Sequence, residues 1–176
     1  MERKLSKIYT PYNSLIIIII LVILNIIPTC TAQEITSSAL LPVKVIDGDS
    51  LEIGSHRIRL MGIDAPEYIQ QCKNKYNKKY PCGKASANFL KQLIADQPIS
   101  CKIIKKDQYN RELCTCYRGG TNLNREMVKN GQAIIYLESP YQKEQQTAQQ
   151  NKKGMWQGRF MHPRLFRRLK EQQKLN

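Results

Sequence analysis

Between residues 42 and 61, apolar and polar side chains alternate in short runs separated by turn residues, the pattern of short β-strands. Val43 and Val45 flank Lys44, Asp47-Gly48 reads as a hairpin turn, and Leu51 and Ile53 carry a second run to Gly54-Ser55. In a third run Ile58 and Leu60 share one face of a strand while Arg57 and Arg59 share the other. The arginines therefore stand outside the core, where a ligand can reach them.

Further on, the period changes. Phe89, Leu90, Leu93 and Ile94 recur at helical spacing and predict a helix over residues 83–95. Ile99, Cys101 and Ile103 return to alternation, residues 107–111 turn the chain, and residues 113–117 form the partner strand. Leu123, Met127 and Val128 predict a short second helix stopped by Asn130-Gly131. Residues 133–137 read as one more strand. Ser139-Pro140-Tyr141-Gln142 has a capping-box layout, which predicts a third helix running from there to near Gly154. About five or six short strands with helices inserted late make an α+β fold, and an open Greek-key barrel of the OB type with about three packed helices is the natural candidate.

At 176 residues the chain suits one compact domain with an appendage. Arg3, Lys4 and Lys7 precede an apolar run over residues 15–27, broken by Asn25 and followed by Pro28. The run falls short of the roughly 20 residues of a membrane-spanning helix and resembles the core of a signal peptide. Cys30-Thr31-Ala32 supplies small residues for cleavage before Gln33; a retained N-terminal anchor and lipidation at Cys30 are the alternatives. The expected organisation is a signal or anchor at residues 1–32, a linker at 33–41, a domain at 42–160 and a basic tail at 161–176. Export to the periplasm or medium follows, with membrane attachment only through an uncleaved N-terminus.

Charge narrows the partners. Against 14 Asp and Glu stand 28 Lys and Arg, a formal net of +14. Removing residues 1–32 takes three basic residues and Glu2, so the rest keeps +12. Such a protein attracts polyanions, nucleic acid first among them. Six cysteines agree with an oxidising destination. Cys72 and Cys82 bracket a Lys-, Asn- and Tyr-rich loop that a bridge would hold; Cys101, Cys114 and Cys116 either pair across a hairpin or fill the core. His56 and His162 are the only histidines and no Cys-x-x-Cys occurs, which argues against zinc.

Two dense carboxylate clusters interrupt this basic chain: Asp47-Gly48-Asp49 and Asp64-Ala65-Pro66-Glu67, with Arg59 between them. Acids set in a basic surface make electrostatic sense when a cation bridges them to a polyanion, and hard ions such as Ca²⁺ take carboxylate and carbonyl oxygens. The ordered run Val45-Ile46-Asp47-Gly48-Asp49-Ser50, then residues 58–67 with Arg59, Asp64 and Glu67, then Asp107-Gln108-Tyr109-Asn110-Arg111, resembles the staphylococcal nuclease family. Gly83-Lys84-Ala85, Leu123-Asn124-Arg125-Glu126 and Gly154-Met155-Trp156 match its later landmarks, so the resemblance covers residues 42–160.

The resemblance implies a calcium-dependent nuclease acting on DNA or RNA. By it, Asp49 and Asp64 look like calcium ligands with the backbone carbonyl of Ala65, and Asp47 looks like an outer-shell carboxylate. Glu67 matches the residue that activates the attacking water. Arg59 and Arg111 match the pair gripping the phosphate, with Tyr109 and Tyr136 as substrate contacts. Ala65 stands where the best-known member has threonine, and Asn110 where glycine is usual; in a left-handed turn Asn is the next best tolerated residue. A non-catalytic nucleic-acid-binding module and a basic envelope-associated protein are the rival readings. Nothing in the pattern calls for a protein partner, and a monomer is expected. The tail beyond Trp156 reads as a solvated helix with no catalytic role.

Overall fold

The computed structural model describes residues 33–175. The signal or anchor read from residues 1–32, Cys30 included, lies outside them. In chain order come β1 (Glu34–Thr36), β2 (Val43–Val45), β3 (Ser50–Ile53), β4 (His56–Leu60), β5 (Ile63–Asp64), β6 (Cys72–Lys73) and β7 (Lys79–Tyr80). Then follow α1 (Cys82–Ile94), β8 (Ser100–Lys106), β9 (Glu112–Arg118), β10 (Thr121–Asn122), α2 (Leu123–Lys129), β11 (Ile134–Ile135), α3 (Gln142–Gln150) and α4 (Pro163–Leu175). Among the described residues no helix is long and apolar enough to cross a membrane.

The alternation in residues 43–60 does what it predicts. β2, β3 and β4 form an antiparallel meander in which Leu51, Ile53, Ile58 and Leu60 are at most 1% exposed, while Arg57 faces out. β4 then pairs in parallel with β9, which pairs antiparallel with β8, giving the order β1-β8-β9-β4-β3-β2. A parallel pair needs a long crossover, and α1 lies on it. β1 and β2 stand at opposite ends of this order yet are separated only by residues 37–42. That link is folded on itself, since Ser38 and Leu41 exchange backbone hydrogen bonds of 3.1 Å in both directions. A tight link can join the two edges only if the sheet curls. The result is an OB-like half-barrel, with no ladder between β1 and β2 among the described residues.

Here the structure departs from the expected linker at 33–41: β1 pairs with β8, and Ile35 and Ser37 are buried. Ser37 Oγ accepts the Ile99 N–H at 2.8 Å, so even the turn is tied to the sheet. A strand of three residues with one apolar side chain carries too little periodicity to stand out.

Leu90 and Ile94 of α1 and Leu123, Met127 and Val128 of α2 close the core against the inner face of the sheet. Asn124 is fully buried and bridges helix to sheet. Its amide donates to the carbonyls of Met61 and Cys114, and its oxygen accepts the Cys116 N–H, each at 3.0 Å. Cys72 and Cys82 form a disulfide that closes the β6–β7 hairpin onto the start of α1; Cys101 and Cys116 form a second one across β8 and β9, leaving Cys114 free and buried.

Two helix expectations change. α3 starts at Gln142 and ends at Gln150, and Ser139 Oγ accepts the Tyr141 N–H at 3.3 Å while no side chain caps the helix. Tyr141 stands just ahead of the helix with φ −106° and ψ 26°, and its side chain is buried in the core at 3% exposure. A fourth helix, α4, is added by the tail, which was not counted among the packed helices.

Candidate active site

The hairpin between β2 and β3 presents the first acids. Asp47 Oδ1 accepts the Asp49 N–H at 3.0 Å, a local turn bond that lets Asp47-Gly48 reverse the chain. Gly48 lies so close to Ser86 of α1 and to Ala65 that no Cβ fits. The turn is thereby pressed against the helix, and Asp49 points inward at 2% exposure. Its Oδ2 accepts the Ala65 N–H at 2.7 Å and its Oδ1 accepts Ser50 Oγ at 2.9 Å.

Asp64 ends β5, where pairing with β11 holds it fully buried. Arg59, on β4, lies between the two acids. Its Nη1 donates to Asp49 Oδ1 at 2.8 Å and its Nη2 to Asp64 Oδ1 at 2.9 Å. One guanidinium fork thus spans both carboxylates. Glu67 follows on a loop whose backbone rests on α1, with its N–H donating to Gln70 Oε1 at 3.3 Å.

A second cation joins from an unexpected place. Arg167 of α4 donates from Nη2 to Asp64 Oδ1 at 2.9 Å and Oδ2 at 3.2 Å, and from Nη1 to Glu67 Oε1 at 2.8 Å. The tail, read from sequence as solvated, reaches the carboxylates. Helix spacing carried the only available signal, since Pro163, Phe166 and Arg167 lie on one side of α4 and are its least exposed described residues.

Arg111 behaves differently from Arg59. Its Nε and Nη2 donate to Asp107 Oδ2 at 2.8 and 2.7 Å, within its own turn, and its guanidinium stacks 5.5 Å from the Tyr109 ring. Among the described residues its side chain makes no polar contact with Asp49, Asp64 or Glu67. Asn110 adopts the left-handed conformation at φ 59°, so the turn keeps the shape that glycine would give it. Tyr109 is exposed, whereas Tyr136 lines a cavity of about 420 Å³ together with Arg59, Met61, Lys105 and Leu113.

Charge is concentrated here. Burial, and then the neighbouring Asp49, push the Asp47 carboxyl up to about 7. Burial and Asp49 also raise Asp64, against the pull of Arg167 and Arg59. For Arg59 burial favours the neutral form, but Asp49 and Asp64 more than offset it and hold the guanidinium charged. Four carboxylates face two guanidiniums, so with all ionised the cluster keeps two negative charges in excess. Its oxygen donors and its surplus charge both fit a divalent cation. No tight group of three His, Cys, Asp or Glu side chains occurs among the described residues, so such an ion would draw further oxygens from carbonyls, water or a phosphate.

The family model described as staphylococcal nuclease homologue matches residues 57–158, a span that includes Arg59, Asp64, Glu67 and Arg111. This chain belongs to the staphylococcal nuclease family. Nuclease-family relatives include an uncharacterised endonuclease of Escherichia coli O157:H7, 34% identical over 125 residues, covering 65% of this chain and 74% of that protein. An uncharacterised endonuclease of Haemophilus influenzae is 30% identical over 146 residues, covering 78% and 75%. The succinoglycan biosynthesis protein ExoI of Rhizobium meliloti is 37% identical over 123 residues, covering 67% of this chain and 64% of its own length. Endonuclease is thus a recurring name among these nuclease-family relatives, whereas Asp49 and Arg167 lie outside the span that the family model matches.

Proposed function

We propose that this chain is a nuclease that hydrolyses phosphodiester bonds of DNA or RNA with a bound calcium ion. The observation that carries the reading is the convergence of Asp49 and Asp64 on one guanidinium, beside Glu67. The carboxylates of Asp49 and Asp64 would hold the ion with the Ala65 carbonyl, while Asp47 orients water around it. When bound, calcium supplies charge neutralisation on the phosphate that is attacked.

Glu67 takes a proton from water at its carboxylate, and the water oxygen attacks phosphorus while the opposite P–O ester bond breaks; the departing oxygen is protonated from solvent. Arg59 donates to the non-bridging oxygens through the N–H groups that Asp49 and Asp64 leave free, since a guanidinium carries five donors. Arg111 adds a second guanidinium once it turns from Asp107. Tyr136 offers a ring beside Arg59 on which a base can stack, and Tyr109 a second one at the rim; each such stack contributes about 1–3 kcal/mol.

The same reading places the nuclease domain at residues 42–160 with β1 added, acting as a monomer. Two disulfides fit an oxidising compartment, which supports export of the chain by its first 32 residues.

The test is cleavage of supercoiled plasmid and of labelled RNA by the purified protein, with calcium and then with a chelator. Cleavage that requires calcium is expected. Binding to either nucleic acid without cleavage at every calcium concentration would replace the enzyme with a binding module.

A further inference from the structure

Resting on that reading of the site, we propose that α4 carries an internal competitor of the metal: Arg167 occupies the oxygens a divalent cation needs, and the ion expels it. Asp64 is fully buried, and both of its carboxylate oxygens accept from Arg167 Nη2, at 2.9 and 3.2 Å. Glu67 Oε1 is held by Nη1 of the same guanidinium at 2.8 Å. An ion coordinated by Asp64 would sit against this guanidinium, sharing its acceptors and repelling its charge. Arg59 takes Asp49 Oδ1 and Asp64 Oδ1 and leaves Asp64 Oδ2 to Arg167 alone, so departure of Arg167 frees that oxygen while Arg59 stays in place.

The helix is built to let go. Only Pro163 of its described residues is buried, Phe166 and Arg167 are half-buried, and the others are exposed. What anchors the tail lies ahead of the helix. Gln70 Nε2 donates to the Met161 carbonyl at 2.7 Å, and Trp156 packs edge-to-face on Phe160 with ring centroids 5.0 Å apart. Residues 161–163 can thus act as a pivot, and release of α4 leaves the barrel intact. Release removes one positive charge from four carboxylates, which raises the attraction for a dication when it arrives.

Calcium titration by calorimetry, with amide hydrogen exchange over residues 163–175, tests the proposal on the full chain. Arg167→Ala is expected to bind calcium about five-fold or more tightly than wild type, the lower range of coupling between two competing events. Arg168→Ala removes an equal but exposed charge and is expected to match wild type. In the wild-type protein, calcium is expected to speed exchange of the α4 amides. Equal affinity of wild type and Arg167→Ala, with binding abolished by Asp64→Asn, overturns the competition and leaves the metal site standing. Tightening by Arg168→Ala to the same degree overturns it too. Absence of calcium binding in every protein, Arg167→Ala included, overturns the metal site itself.

Discussion

Gly83 and Glu67 meet backbone to backbone: a Cβ added to Gly83 would overlap the Glu67 carbonyl. The first turn of α1 is therefore the floor on which the Glu67 loop rests, and the Gly83 N–H donates to the Gln70 carbonyl at 3.2 Å. Gly83→Ala should push the loop off the helix. A misplacement near 1 Å at a reacting group costs on the order of 10²-fold in rate. The expected result is a loss of that size in cleavage with a stability loss of about 1–3 kcal/mol. Gly120→Ala, where nothing lies within 4 Å, is the control and should leave both unchanged.

Asp47 predicts how the metal-free protein responds to pH. Its folded carboxyl is pushed up to about 7 from an ordinary 3.8, first by burial and then by Asp49. Ionisation therefore favours the unfolded chain, which releases its proton earlier. The contribution is most favourable below about pH 4 and is lost as pH rises to about 7. Asp47→Asn keeps the oxygen that accepts the Asp49 N–H and removes the charge. Thermal unfolding in chelator should show the variant more stable than wild type at pH 8 and equal to it near pH 4. An equal difference at both values would contradict the assignment.

The cysteines give a third check. Of those in the described residues, only Cys114 is unpaired, and burial, with a further push from Glu112, raises its thiol to about 12. Alkylation and peptide mapping of residues 33–176 should find no label in the native protein and label on Cys114 alone in denaturant without reductant. Labelling of Cys101 or Cys116 under those conditions would remove the bridge between β8 and β9.

Much of the barrel was legible because its strands obey a strict period of two: Leu51, Ile53, Ile58 and Leu60 fall inside as their alternation requires. α1 was legible within one residue at each end, since Leu90 and Ile94 of its stripe are buried in the core and Phe89 and Leu93 pack against it. The carboxylates could be named from their order, and Arg59 from its place on an outward strand face. Contacts made across the whole fold were not legible. β1 depends on one buried isoleucine, and Arg167 reaches Asp64 across 103 residues, announced only by the helix spacing of Pro163, Phe166 and Arg167. Arg111 turned to Asp107 because two residues four apart in one tight turn satisfy each other more readily than a distant partner does.

Glu67 is proposed to activate a water beside an ion held by Asp49 and Asp64. Single-turnover cleavage of a short labelled DNA in saturating calcium, by wild type and by Glu67→Gln, tests it most directly. Glutamine keeps the size of the side chain and cannot take the proton, so binding should persist while cleavage falls by about 10²–10⁴-fold. Cleavage by Glu67→Gln at the wild-type rate would contradict the account.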